Sequence, residues 1–239
     1  MTAQQIAKRV IDVVVATTAL LALSPLLVVT AILIYVLEGR PIFYLSRRNI
    51  STKEEIVIPK FRSMVRDAKS SRYRLNERYM RDGYLDIPLE CEVYTPIGRL
   101  VERTQLVEVP QLINVFRGKM SLIGNRPLPK ENLRLLSIQE NWEERFESPA
   151  GISGISQIVG KLKLDPSERL LLERAYSEVY KRGNLIKCDF LIWFYTVRLI
   201  AFGKGISLVD ATDILRGSVG GELAIETQIL VKAEEETPV

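Results

Sequence analysis

The feature that most limits how this chain can fold is an apolar segment near its start. From Val10 to Leu37, 28 residues carry one charge, Asp12, and consist mainly of Leu, Val, Ile and Ala. A helix crosses a ~30 Å bilayer core with roughly 20 such residues. The segment therefore predicts contact with a membrane.

A proline in the middle of this segment argues against one straight span. Ser24-Pro25 divides it, and proline both lacks a backbone donor and clashes with the preceding turn. The flanking halves, 13–23 and 26–37, are only about 16 and 18 Å long at ~1.5 Å per residue, too short to cross alone. We expect the Ser24 hydroxyl to bond to a carbonyl that Pro25 leaves without a donor.

Positive charges flank the apolar segment on both sides, and such flanks normally stay in the cytoplasm. They predict a helix-break-helix hairpin over residues 1–40 that enters one leaflet and returns, with Asp12 near the surface. A straight span and a cleaved signal peptide are the alternatives. The flanking cations are Lys8 and Arg9 before the segment and Arg40, Arg47, Arg48 and Lys53 after it.

Composition removes several kinds of chemistry. The chain has no histidine, and its two cysteines, Cys91 and Cys188, form neither a disulfide framework nor a zinc motif. Net charge is +4, but five glutamates and one lysine occupy the last 19 residues, which leaves +8 on residues 1–220. A basic body suits an anionic partner. Nucleic acid is disfavoured as that partner because no basic run with interleaved aromatics occurs.

Beyond the apolar segment, the sequence predicts several elements. Short β-type runs at 42–44 and 55–58 predict a hairpin or loop, and the dense charges of 66–86 predict a solvated or lipid-facing helix. Residues 130–147 have a helical apolar stripe. Asp165-Pro166-Ser167-Glu168 is a helix start, with an end expected at Gly183. The apolar, aromatic stretch 189–202 is either a core helix or a helix lying in the membrane interface.

Three polar clusters are the candidates for chemistry: residues 60–64, a series from Arg99 to Asn114, and the glycine-containing loop 118–127. Arginine forks bind phosphate bidentately, and glycines let backbone amides approach an anion. Together the clusters would suit a diphosphate. The alternative is a basic surface for lipid headgroups.

In order and spacing, these residues resemble the bacterial sugar transferases, monotopic polyprenyl-phosphate phosphoglycosyl transferases. The resemblance covers about residues 5–200. The matching positions are Lys8-Arg9, Asp12, Ser24-Pro25, Gly39 to Tyr44, Lys60 to Met64, Pro96 to Arg99, Glu108, Pro110-Gln111, Asn114, Gly118 to Pro127, Gly151 to Gly154, Gln157, Tyr176 and Asp189.

The resemblance implies a small α/β catalytic domain, residues 41–205, on the cytoplasmic face of the bacterial inner membrane, followed by an extension, 206–239, whose end we expect to be disordered. It implies transfer of a sugar-1-phosphate from a nucleotide diphosphate sugar to polyprenyl phosphate, with Mg²⁺. It also implies contact with membrane lipids and allows a homodimer through the hairpin. By resemblance, Lys60, Arg62, Arg103 and Arg126 hold phosphates, and Glu108 is catalytic and beside magnesium.

The chain departs from the family at the nucleophile. The family's Asp-Glu pair falls on Val107-Glu108, and valine cannot attack phosphorus. Losing a nucleophile typically costs on the order of 10⁶ in rate. Three explanations are open: Glu108 has become the nucleophile, the protein is a non-catalytic relative that binds polyprenyl phosphate or acts as a scaffold, or activity persists with valine in this position.

Overall fold

The computed structural model describes residues 1–81, 84–160 and 163–219 and has a mixed α/β fold. The helices are α1 (Ala3–Glu38), α2 (Leu75–Tyr79), α3 (Pro96–Arg103), α4 (Leu112–Phe116), α5 (Lys130–Leu136), α6 (Ile155–Val159), α7 (Pro166–Arg182), α8 (Leu185–Phe202) and α9 (Leu208–Val219). Two 3₁₀ helices cover Leu106–Gln111 and Trp142–Glu147. The strands are β1 (Phe43–Asn49), β2 (Glu55–Phe61), β3 (Met80–Arg81), β4 (Tyr84–Leu85), β5 (Ser121–Ile123) and β6 (Gly151–Ser153).

The long helix α1 runs through the proline without interruption, so the two helices predicted on either side of a break are one element. Its N-terminus is closed by a capping box between Thr2 and Gln5. Residue 25 of a regular helix would donate to the Leu21 carbonyl, and the Ser24 hydroxyl donates to that carbonyl instead, at 2.8 Å. This replacement confirms the predicted role of Ser24 and explains why the helix does not stop.

Both ends of α1 pack on the rest of the protein, whereas its middle is exposed. Ala16 and Ile34 are fully buried, but Leu21 is 70% exposed. Among the described residues, α1 is the one helix long and apolar enough to cross a membrane. No described part of the chain covers the outward apolar face of α1, as expected of a helix in contact with lipid.

Charged groups fix the first half of α1 to the body. Lys8 Nζ lies 2.5 Å from Asp189 of α8 and donates to the Ile123 carbonyl at 2.9 Å. The Asp12 carboxylate accepts from the Ser121 hydroxyl at 2.7 Å and from the Leu122 amide at 3.1 Å. Because the buried charges are paired and hydrogen-bonded, the contact tolerates their burial.

The structure has a β-hairpin where the two β-type runs predicted a hairpin or loop. β1 and β2 are antiparallel, with Tyr44 opposite Lys60 and Arg48 opposite Ile56. Side chains alternate between the two faces of a strand, so Arg48 and Lys60 project from the same face of this hairpin. Elsewhere, β5 and β6 pair in parallel beside the largest apolar cluster, which α6, α7, α8 and α9 enclose.

The helix predicted at Asp165 is confirmed at both ends. Asp165 caps α7 and forms a capping box with Glu168, and Gly183 is the C-cap. The stretch 189–202 is helical too, within α8, and only one side of α8 is buried.

Two helical expectations are wrong in extent. Within 66–86 the described residues form one short helix, α2, and the two-residue strands β3 and β4. Residues 130–147 form α5 and then a 3₁₀ helix, with residues 137–141 between them. Asn141, just before the 3₁₀ helix, has a φ of 56° in the left-handed region. In addition, α9 occupies the start of the predicted extension, and residues 220–239, where the disordered end was expected, lie outside the described residues.

Candidate functional site

The candidate site is a cluster of three cations around one carboxylate, formed by Arg48, Lys60, Glu108 and Arg126. Lys60 Nζ lies 2.6 Å from Glu108 Oε1, and Arg126 Nη2 lies 4.0 Å from the same oxygen. Arg48 is close enough to Lys60, Glu108 and Arg126 to interact with them electrostatically. These four side chains carry three positive charges and one negative one, and Glu131 is a further carboxylate that acts on Arg48, so cations are in excess and the cluster would attract an anion.

The 3₁₀ helix Leu106–Gln111 sends two neighbouring side chains into different surroundings. Three residues make one turn of such a helix, so successive side chains point about 120° apart. Glu108 faces the cations, whereas Val107 is 4% exposed and belongs to an apolar cluster with Ile34, Phe61 and Val101. Val107 therefore packs against α1 and does not project among the cations.

The loop that carries Arg126 is held from beneath by a buried polar network. The Asn125 amide donates to the carbonyls of Arg145 and Glu173, both at 2.8 Å. Arg145 in turn donates to the Arg126 carbonyl at 2.8 Å and to the Glu173 carboxylate at 2.7 Å. These hydrogen bonds fix the position of the Arg126 backbone, from which its side chain extends toward Glu108.

Gly124, in the same loop, is required by a close approach of two chain segments. A Cβ on Gly124 would lie 2.2 Å from the Pro149 carbonyl oxygen, which is a backbone atom and cannot turn aside. The glycine therefore lets the β5 end approach the segment before β6 and brings Arg126 toward Glu108.

Burial and like charge act together on the cations. Burial lowers the pKa of Lys60 below its ordinary value of 10.5, and Arg126 and Arg48 act in the same direction, while Glu108 opposes them. Burial also lowers the pKa of Arg48, and Arg126 contributes to that shift. The cations repel one another in partly buried surroundings, so a bound anion with more than one negative charge would relieve their repulsion.

Two of the predicted phosphate ligands are placed differently. Arg62 is buried and donates to the Glu38 and Gly39 carbonyls, each at 3.0 Å, with the Glu38 carboxylate 3.6 Å away. Its guanidinium thus binds the C-terminal end of α1, where a cation is favoured by the helix dipole. Arg103 is exposed at the end of α3, and no contact joins it to the cluster in the part of the chain that the structure describes. Among the described residues, the cluster therefore forms without Arg62 and Arg103.

Arg48 belongs to the cluster, although its place in the sequence indicates only a positive flank of the apolar segment. The signal was the pairing register: once 42–44 and 55–58 are taken as a hairpin, the side of the strands that bears Lys60 also bears Arg48.

By itself the cluster offers a Mg²⁺ ion one carboxylate ligand, so further ligands would have to come from substrate phosphates. Magnesium prefers oxygen ligands and is usually held by one or two carboxylates together with substrate phosphates. Glu108 supplies the one carboxylate of these four side chains, and its Oε1 already contacts Lys60. Within residues 1–81, 84–160 and 163–219, no three acidic or thiol side chains converge as a metal site would require.

Comparison with known proteins identifies a family for this chain. Residues 3–203 match the family model described as bacterial sugar transferase. The exopolysaccharide production protein ExoY of Sinorhizobium fredii is 28% identical over 212 residues, which cover 84% of this chain and 88% of that protein. An uncharacterized sugar transferase, EpsL, of Bacillus subtilis is 27% identical over 92% of this chain and 99% of its own length.

A longer relative has a more specific name. The UDP-glucose:undecaprenyl-phosphate glucose-1-phosphate transferase of Escherichia coli is 30% identical over 192 residues. The match covers 80% of this chain but only 39% of that enzyme. The similarity is therefore to one part of the longer protein.

Proposed function

Because the chain belongs to the bacterial sugar transferase family, we propose that it transfers a sugar-1-phosphate from a nucleotide diphosphate sugar to polyprenyl phosphate. Such a transfer is the first membrane step in assembling a glycan or exopolysaccharide. The observation that carries the proposal is the Glu108 carboxylate held between Lys60 and Arg126. A relative named for exopolysaccharide production supports a role in exopolysaccharide assembly. A relative named for transfer to undecaprenyl phosphate supports a polyprenyl phosphate as the acceptor of the sugar phosphate.

In this proposal the three cations bind the diphosphate of the donor. Lys60 and Arg126 lie against Glu108 in the structure, and phosphate oxygens would compete with that carboxylate for both cations. Substrate binding then both neutralises the cation cluster and loosens the hold of Lys60 on Glu108. The carboxylate becomes available beside an electrophilic phosphorus.

Glu108 is the nucleophile that this arrangement supports. A Glu108 oxygen attacks the phosphorus attached to the sugar, and the bond from that phosphorus to the bridging oxygen breaks, so the nucleoside monophosphate leaves with the electron pair. A phosphate oxygen of polyprenyl phosphate then attacks the same phosphorus and restores the carboxylate. Lys60, Arg48 and Arg126 offset the negative charge of both steps.

We also propose that α1 enters one leaflet and returns to the same side, as a monotopic anchor on the cytoplasmic face of the inner membrane. Its start is bound to the body through Lys8 and Asp12, and its end is bound through Arg62. A helix whose two ends contact one domain cannot leave the domain on one side of a bilayer and end on the other. Pro25, in the exposed middle, is where such a helix would bend.

A binding protein of the same fold is the second candidate. The observation that favours it is Val107, a packed apolar side chain where the resemblance places the family's nucleophile. In that case the cation cluster would hold polyprenyl phosphate or a nucleotide sugar without turnover.

The test is release of nucleoside monophosphate by the full chain in nanodiscs, with polyprenyl phosphate and a panel of nucleotide sugars. We expect release by the native chain and a loss of roughly 10³ or more in Glu108→Gln. Glu55→Gln is the matched control, because the Glu55 carboxylate makes an exposed pair with Arg47 and does not belong to the cation cluster. Full activity in Glu108→Gln would overturn the role of Glu108. A silent native chain that still binds polyprenyl phosphate would favour the second candidate.

A further inference from the structure

The 3₁₀ helix Leu106–Gln111 ends in a buried glutamine whose side-chain amide is unpaired. Gln111 is 3% exposed, and within residues 1–81, 84–160 and 163–219 its Nε2 atom has no hydrogen-bond partner. A buried donor without an acceptor costs free energy, so folded proteins keep few of them. Such a donor is accounted for when another state of the protein supplies its acceptor.

Gln111 lies on the same side of its helix as Glu108. Side chains three residues apart are eclipsed in a 3₁₀ helix, and a rise of ~2 Å per residue puts Gln111 about 6 Å further along the axis. Helical Cα–Cβ bonds tilt toward the N-terminus, which directs the Gln111 side chain toward Glu108. Val107, by contrast, belongs to the apolar cluster with Ile34 and Phe61.

Two contacts with β2 hold this side of the helix, and Gln111 lies between them. Glu108 contacts Lys60 at 2.6 Å, and the side-chain amide of Asn114, three residues beyond Gln111, donates to the Val57 carbonyl at 3.0 Å. Gln111 is therefore enclosed against the strand that carries Lys60, which accounts for its burial. Its amide is a donor beside the Lys60–Glu108 pair that neither residue uses in this structure.

We propose that Gln111 is a positioning residue, whose side-chain amide donates to the Glu108 carboxylate once substrate phosphates have drawn Lys60 away. The inference rests on the function proposed above, in which the diphosphate of the donor competes with Glu108 for Lys60. A partly buried carboxylate that loses its cation needs another hydrogen-bond donor. A neutral amide supplies one without a charge, so it fixes the angle of Glu108 to the phosphorus while the other carboxylate oxygen attacks.

The variant Gln111→Met separates this role from packing. Methionine has nearly the same length and no donor, so it removes the unpaired amide, and the full chain in nanodiscs should unfold at the native temperature or above it. Turnover should nevertheless fall. We expect kcat for nucleoside monophosphate release to drop about tenfold or more, whereas KM for the nucleotide sugar stays within about twofold. Gln139→Met, the same change beyond the end of α5, is the matched control and should alter neither constant.

A second readout does not require turnover. In protein labelled with ¹⁵N at the glutamine side chains, the NMR signals of Gln111 are those missing from Gln111→Met. Inorganic pyrophosphate replaces the substrate: it should bind the cations, and one Gln111 amide proton should move downfield as it becomes bonded to a carboxylate. The same titration of Glu108→Ala should leave these signals in place, since the acceptor is gone.

Gln111 signals that pyrophosphate leaves unmoved in the native chain would overturn the proposal. So would signals that move equally in Glu108→Ala, because the amide would then contact the anion itself. A native kcat in Gln111→Met, or a lower kcat together with a lower unfolding temperature, would also overturn it, the latter by indicating a packing role.

The two readouts separate this inference from the proposed function. A native chain that releases no nucleoside monophosphate, but whose Gln111 signals respond to pyrophosphate as expected, would contradict the transfer reaction and support the contact between Gln111 and Glu108. Release by the native chain with unmoved Gln111 signals would do the reverse.

Discussion

Val107 shows how one residue can have a packing role where the resemblance assigns a chemical one. Its side chain fills an apolar cluster with Ile34 of the membrane helix and Phe61 of β2. Phe61 directly follows Lys60, and Val107 directly precedes Glu108. Phe61 and Val107, the sequence neighbours of the two ion-paired residues, therefore pack against α1. The distance between Lys60 and Glu108 thus depends on how α1 packs against the body of the protein.

Val107→Asp should accordingly not restore an enzyme of the family's usual kind. A carboxylate there would be buried among Ile34, Phe61 and Val101, and we expect a loss of about 3 kcal/mol or more in the free energy of unfolding. Denaturant unfolding measures it, with the near-isosteric Val107→Thr as control for lost apolar contact. Higher nucleoside monophosphate release than in the native chain, with unchanged stability, would contradict this packing role.

The lowered pKa of Lys60 predicts how the affinity for an anion depends on pH. Its pKa is lowered below 10.5, mainly by burial, so it loses its proton as the pH rises through values at which an ordinary lysine is still charged. Only the charged form binds phosphate, hence affinity should be full near neutral pH and fall in the alkaline range. The fall should reach about tenfold or more once Lys60 is neutral.

Calorimetric titration with inorganic pyrophosphate across this range tests the prediction. Lys60→Arg is the matched variant, because a guanidinium stays charged throughout the range, and its affinity should not show the alkaline fall. Parallel curves for the native chain and Lys60→Arg would show that another group controls the pH dependence.

At the scale of single residues, the sequence allowed part of the site to be predicted. Lys60, Glu108 and Arg126, from three separate motifs, do lie together. Arg62 belongs to the same predicted cluster, 60–64, as Lys60, but β2 ends at Phe61 and the Arg62 guanidinium binds the end of α1. Where a strand ends depends on tertiary contacts, which the local pattern does not contain.

Among the elements, the end of α1 depends most on one side chain. Arg62 is bonded to the last carbonyls of the helix and faces the buried Glu38 carboxylate. Arg62→Met would leave that carboxylate buried without its cation, at a cost of about 3–5 kcal/mol in the free energy of unfolding. Unfolding in detergent measures the loss.

Arg47→Met is the control for this loss. It removes the exposed pair with Glu55 and should cost less than about 1 kcal/mol. Equal, small losses in the two variants would contradict the assigned role of Arg62.

Elements with a strong local signal could be predicted, and elements set by packing could not. The capping box at Asp165 predicted the start of α7, and the two β-type runs predicted a hairpin or loop, of which the structure has the hairpin. Charge density alone predicted a helix over 66–86, yet Tyr73, Leu75, Val93 and Tyr94 draw that region into a small apolar cluster with short elements. Ser24-Pro25 predicted a break, but one hydroxyl bond lets the helix continue.

For the whole molecule, we expect that both ends of α1 face the same side of the membrane. Single cysteines at Ala3 and Thr52 should both react with an impermeant maleimide from one side of sealed vesicles. A cysteine at Leu21, which is highly exposed in the middle of α1, should be protected by lipid.

The native chain is the background for this labelling, since Cys91 and Cys188 are buried. Reaction of positions 3 and 52 from opposite sides would contradict a returning helix.

The central claim is that Glu108 is the carboxylate that receives the phosphosugar. The most direct measurement is the intact mass of the full chain after incubation with the nucleotide sugar that supports turnover, without polyprenyl phosphate. The account predicts a gain of one sugar phosphate per chain, mapped to Glu108, absent in Glu108→Gln and discharged when polyprenyl phosphate is added. Turnover with no adduct, or an adduct on another residue, would contradict it.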